Sequence, residues 1–343
     1  MNFNLKIGVA SVMLEKIIFL FFSLITGIIE IGVVIYLVSN NCSFTNILLT
    51  VLAYQIGCFF PNNIRLKKIY LIILGLSALV FSYFSMHTNF PECYLYILAS
   101  ILFISPCLQS VRSIQKSKVS KGLKRMFRIL GFIASIFFTP TFLFAICFII
   151  ILILLKLENF KLSSFSFRKL DNRYLIMILH QMHYFSYAYT VLFFSLQFND
   201  QYSKYFTAVV FALGWITYTL VPYILTKERY IFYLVSGHIY LTFVLLSMAL
   251  VNSVYLKLTL WILTGLGGGT VFCIEKIFKK INIYNKYSID TSENYGHVVG
   301  LISGILIFNF FKSYEAAIIF SSLCALLTAF LAIRINNKNK IMC

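Results

Sequence analysis

Apolar runs, each about as long as a bilayer is thick, alternate with short polar breaks along almost the whole chain. A membrane-spanning helix takes about 20 apolar residues at 1.5 Å rise each. That rule predicts spans near 17–38, 45–60, 69–86 and 93–111, then a double-length run over 123–157. After a polar stretch come 174–198, 206–225, 230–250, 258–275, 295–312 and 315–334. The first run is too long for a secretory signal and has no small-residue cleavage site, so it is expected to stay as an anchor.

The double-length run needs its own argument. Its apolar part, 129–157, would measure about 44 Å as one helix, against a hydrocarbon core of about 30 Å. It contains Thr139-Pro140-Thr141. Proline lacks the N–H a helix interior needs and biases the residue before it away from helix. Two short helices joined at that point are expected, with Lys124, Arg125 and Arg128 snorkelling from the first of them.

Composition agrees with the pattern. Of 343 residues, 60% are hydrophobic and 12% charged, against about 25% charged in a soluble domain; mean hydropathy is +0.88. The eight cysteines are scattered without a CxxC pair and mostly sit in apolar runs, where they act as small hydrophobes. The net charge of +18 would suggest nucleic acid as a partner if it were clustered. Its placement is instead topological. With twelve spans and a cytoplasmic N-terminus, only Lys204, Lys257 and Lys312 of the 29 basic residues fall outside, whereas eleven spans would divide them almost evenly. Basic inner loops at 112–128, 156–173 and 276–294 suit anionic membrane lipid, and no nucleic acid is required. No GxxxxGK[ST] motif is present, which argues against a built-in ATP motor.

The expected fold class is therefore all-α: a polytopic membrane protein of twelve transmembrane helices. Its parts would be an N-terminal six-helix bundle (1–157), a cytoplasmic linker (158–173) and a C-terminal six-helix bundle (174–343). Between the second and third spans lies "GCFFPNNIRLKK", Gly57 to Lys68, with a glycine and the basic group Arg65, Lys67 and Lys68. "TKER" at Thr226 to Arg229 echoes it in the second half. This arrangement resembles the major facilitator superfamily of secondary transporters, although Pro61 and Asn62 stand where that family's motif has an acidic residue. The resemblance implies that helices 1, 4, 7 and 10 line a central cavity. It also implies a small-molecule substrate carried by alternating access, a monomer, and no cofactor.

Candidate chemistry lies on those helices. Glu30 is the one acidic residue well inside a predicted span, with Ser23 and Gly27 on its helical face. A charge at that depth costs about 2.5–3.5 kcal/mol on insertion scales and usually turns inward for a purpose. Glu30 is the proton-coupling candidate; the plainer reading is a structural glutamate bonded to a neighbouring helix. "LHQMHYFSYAY", Leu179 to Tyr189, opens the seventh span. It places His180, Tyr184 and Tyr187 at i, i+4 and i+7, with Gln181 and His183 beside them. These five residues and Gln109 on the fourth span are the candidate substrate contacts or proton relays. The alternative is an interfacial tyrosine belt with packed histidines. Metal binding by His180 and His183 would need further ligands, and no cysteine or carboxylate lies near them in sequence, so no metal is assigned. His238 reads as a packing histidine. "GLGGG" (Gly265 to Gly269) and "GHVVGLISG" (Gly296 to Gly304) read as close-packing surfaces.

The expected function is a proton-coupled transporter in the cell membrane, both termini cytoplasmic. It would move a small amphipathic metabolite or drug, with protons and membrane lipid as its other partners. Export is favoured, since the inferred lining is aromatic and lacks the basic cluster an organic-anion importer would use. The rival readings are a multi-span enzyme acting on lipid-linked substrates, of the polysaccharide polymerase or acyltransferase type, and a non-transporting receptor or immunity factor.

Overall fold

The computed structural model describes residues 2–63, 67–114, 120–156, 171–190, 203–225 and 228–339, and no strand occurs among them. The first six helices are α1 (Asn2–Ser39), α2 (Phe44–Asn63), α3 (Lys68–His87), α4 (Glu92–Ile114), α5 (Lys121–Ala134) and α6 (Pro140–Lys156). Then come α7 (Leu175–Tyr187), α8 (Ser203–Ile224), α9 (Tyr230–Leu250), α10 (Val254–Lys280), α11 (Lys286–Phe311) and α12 (Tyr314–Asn339). A 3-10 turn at Gly269–Val271 interrupts α10.

Eight of these twelve, α1, α3, α4 and α8 to α12, contain a stretch long and apolar enough to cross a membrane. The chain is a multi-pass membrane protein. The apolar parts of α2 (Phe44–Phe59) and α6 (Pro140–Lys156) are shorter. At 14 residues, α5 is about 21 Å long, and it carries Lys124, Arg125 and Arg128. The end of the seventh expected span, the 158–170 part of the expected linker, and Arg65, Thr226 and Lys227 lie outside the described residues.

The double-length run divides where the sequence suggests. The 3-10 turn Ser135–Phe137 ends α5, and α6 begins at Pro140. Thr139 Oγ1 accepts from Phe142 N at 3.2 Å, the geometry of an N-cap. Proline at the first helical position loses nothing, because its missing N–H would have had no intrahelical partner.

The chain forms two compact units, Met1–Asn40 with Ile56–Ser166, and Asn41–Gln55 with Phe167–Cys343. The division falls within α2. In lipid, apolar side chains gain little by leaving the tails, so helices are held by close packing and by hydrogen bonds. Glycines mark the close approaches. In the first unit a Cβ on Gly27 of α1 would strike the Arg128 carbonyl of α5, and one on Gly131 of α5 would strike the Leu24 carbonyl of α1. Gly57, in the signature-like stretch, lets α2 approach α4, where an added Cβ would meet Ser105 Cβ at 2.6 Å.

In the second unit α11 lies against α7 along Gly296, Gly300 and Gly304, spaced one turn apart. Their added Cβ atoms would meet Gln181 Cβ at 2.6 Å, Met182 O at 2.7 Å and Ser186 O at 2.9 Å. Near the start of α7 the Tyr174 hydroxyl donates to Ile283 O at 2.5 Å and accepts from Asn285 N at 3.1 Å, which ties the α10–α11 connection to α7. Lys312, in the left-handed region at φ 53°, ends α11 two residues before α12 begins.

Candidate functional site

Because α7 is pinned to α11 on one side and packs on α12 as well, its polar side chains divide between distinct surroundings. His180, His183 and Tyr187, at i, i+3 and i+7, turn into the second unit and are 2%, 2% and 1% exposed. His180 Nδ1 lies 2.8 Å from Nε2 of His238 on α9, and His238 Nδ1 lies 2.9 Å from Leu234 O. A carbonyl can only accept, so His238 carries its proton on Nδ1 and presents the Nε2 lone pair to His180. His180 is then the donor between the rings. Tyr187 stacks near His183 and donates to Thr264 Oγ1 at 3.0 Å.

Gln181 and Tyr184, by contrast, are half-buried. Gln181 Oε1 is 3.1 Å from His297 Nε2 on α11, and the other ring nitrogen of His297 is 3.2 Å from Gln55 Oε1 on α2. Phe185 lies against the His297 ring at a centroid distance of 4.1 Å. An imidazole between two amides can be accommodated in either protonation state. When charged it donates to both carbonyl oxygens, and when neutral one amide turns to offer its NH2 instead. The Tyr184 ring stands edge-on to Phe185 and Tyr187.

In the first unit Glu30 is paired. Arg128 of α5 donates from Nε to Glu30 Oε2 at 2.8 Å and from a terminal nitrogen to Glu30 Oε1. The glycine crossing explains the match: Glu30 lies three residues after Gly27 on α1, and Arg128 three residues before Gly131 on α5. The backbones approach at the glycines, and the next turn of each helix carries one charge of the pair. Gln109 is half-buried on α4, also in the first unit.

The structure therefore gathers His180, His183 and Tyr187 in one buried cluster, sets Gln181 in a second, and puts Glu30 and Gln109 in the other unit. Three participants were not anticipated: Arg128, His238 and His297. In the sequence Arg128 reads as a snorkelling residue and His238 as a packing residue, and His297 is hidden inside a glycine motif.

No protein-family profile matches the sequence, and no curated protein matches it. The fold does have solved counterparts. The crystal structure of nucleoside transporter NupG aligns at a TM-score of 0.65 and 12% identity, covering 94% of this chain and 98% of that one. A mutant of NupG aligns at the same TM-score and 13% identity, with 94% and 99% covered. The chain shares the fold of these transporters.

Proposed function

We propose that the chain is a proton-coupled secondary transporter of the major facilitator type, moving a small amphipathic metabolite across the cell membrane by alternating access. The observation that carries this reading is the fold likeness to a nucleoside transporter over nearly the full length of both chains. A nucleoside combines a flat, partly apolar base with hydroxyls and ring polar groups. Amide, imidazole and tyrosine side chains suit such a solute, and the half-buried Gln181 and Tyr184, together with His297, supply them in the second unit. Gln109 is the proposed contact from the first.

In this reading Glu30 carries the proton. Protonation would cancel the charge that holds Arg128, so opening of the Glu30–Arg128 pair is the event that proton uptake would drive. His180, His183 and Tyr187 keep the roles of relaying protons or holding α7 in place. Export remains favoured, since the proposed contacts are amide, imidazole and tyrosine groups without the basic cluster an organic-anion importer would use. The distribution of basic residues along the sequence supports cytoplasmic termini. The alternative of a lipid-linked polymerase or acyltransferase draws nothing from a likeness to transporters. Counterflow of labelled purine and pyrimidine nucleosides into proteoliposomes preloaded with unlabelled solute tests the reading. Saturable counterflow is expected for one of them, and none with any small metabolite would refute transport.

A further inference from the structure

The second unit contains a histidine cluster that substrate contact does not explain. His180 and His183 lie one turn apart on α7 and His238 lies on α9, and one ring nitrogen of each falls within 4.8 Å of the other two. The three side chains are 2%, 2% and 0% exposed. Two of them satisfy each other, through the 2.8 Å contact between His180 Nδ1 and His238 Nε2. His183 does not share in this. Its Nδ1 is buried and makes no hydrogen bond of good geometry among the described residues, standing only near the backbone of Leu179 and His180 on its own helix, a condition that native interiors seldom leave without a reason.

We propose that His180, His183 and His238 form a binding site for a divalent transition metal of the zinc class, which fastens α7 to α9. The donor set is three neutral imidazole nitrogens, with no carboxylate or thiolate among the clustered residues. Such a set selects zinc, copper(II) or nickel and rejects magnesium and calcium, which require oxygen ligands. His238 already has the outer support of a metal-bound imidazole. Its Nδ1–H is fixed on Leu234 O at 2.9 Å, which orients the ring and aims the Nε2 lone pair at the cluster.

Distances fit with small side-chain adjustments. In a tetrahedral site with Zn–N bonds of about 2.0–2.1 Å, donor nitrogens stand about 3.3 Å apart. The His180–His238 pair must open slightly from 2.8 Å, and the widest separation must close from 4.8 Å. Coordination through Nδ1 requires the proton that His180 donates to His238 to move to its own Nε2, which keeps the ring neutral. The metal then replaces one histidine–histidine hydrogen bond with three coordinate bonds, including one to the ring whose Nδ1 lacked a hydrogen bond of good geometry. A fourth position is left for water. The spacing along α7 is one turn, so a single metal can reach both of its histidines without distorting the helix.

The test uses the full chain without a histidine tag, purified in detergent, stripped with chelator and titrated with cobalt(II). The expected result is near-stoichiometric binding with the visible absorption of a tetrahedral nitrogen site, displaced by zinc. His183→Ala should abolish that signal while leaving the His180–His238 hydrogen bond in place, with folding checked by circular dichroism. His87→Ala, which removes an exposed histidine of the first unit, should bind as the parent does. If His183→Ala fails to fold, His183→Gln under the same conditions decides. Zinc should also raise the melting temperature of the parent but not of the His183 variant. Absence of stoichiometric cobalt binding by the parent overturns the proposal, as does unchanged binding after loss of His183. No transport is measured, so this result is separate from the test of transport.

Discussion

Arg128 closes a bidentate ion pair on Glu30, from a helix that lies 98 residues further along the chain. The Glu30 side chain is 9% exposed and that of Arg128 27%. Two parallel, charge-assisted hydrogen bonds give such a pair strength and a fixed geometry. In the proposed mechanism a proton on Glu30 would remove the charge that Arg128 holds.

Breaking one side of the pair should cost more than removing both. Leaving one partner of a buried pair uncompensated costs ~3–5 kcal/mol, and the partial exposure of Arg128 places this case at the low end. Thermal melts of Glu30→Gln, Arg128→Gln and the double variant in detergent should show the double variant more stable than the sum of the single losses predicts. Strictly additive losses would mean that the pair contributes nothing as a unit.

The pair depends on the glycine crossing beneath it. Gly131→Leu pushes a side chain into the Leu24 carbonyl of α1, and overpacking of this kind costs ~1–3 kcal/mol. Ile133→Ala, on the exposed side of α5, should stay within ~0.5 kcal/mol of the parent. Melting temperatures of the two variants provide the comparison; equal effects would remove the crossing from the account.

On α7, water-soluble thiol reagents should distinguish the two faces. In a background without native cysteines, Gln181→Cys and Tyr184→Cys should react, and His180→Cys, His183→Cys and Tyr187→Cys should resist. Labelling of position 181 should be slowed by bound substrate. Rapid labelling at 180 and 183 together with protection at 181 would reverse the assignment of substrate contact.

Outside the membrane segments, Asp171 accepts from Arg173 N and pairs with its guanidinium, which holds the carboxyl down at about 2 from an ordinary 3.8. A lowered folded-state value stabilises above the unfolded value and is lost as pH falls through the folded one. The melting-temperature gap between the parent and Asp171→Asn should be constant above pH 5 and should shrink as pH drops from about 4 toward 2. The pair is exposed, so the gap should be small. A gap that widens on acidification would contradict the assignment.

The sequence was most informative where a single local rule decides. The span predicted at 230–250 is α9 to the residue, and Thr139-Pro140 ends one helix and starts the next because a cap and a ring act locally. Pairings between distant helices were not legible. Nothing near Arg128 marks it as the partner of Glu30, and its place at the end of an apolar run made it look like a snorkelling residue. His238 stands 58 residues from His180, and periodicity within α9 reports only that it is one polar position among apolar ones. His297 was hidden by its own neighbours, since the glycines around it explain the packing of α11 without it. The assignment of Tyr184 to the same face as His180 came from i, i+4 spacing, while the buried stripe of α7 follows i, i+3 and i+7.

The most direct test of the central claim is solute accumulation in proteoliposomes under an imposed pH gradient, with a nucleoside that shows counterflow. The account predicts flux that follows the gradient in the parent, and in Glu30→Gln exchange without accumulation. Accumulation in Glu30→Gln equal to that of the parent, or parental flux indifferent to the gradient, would contradict it.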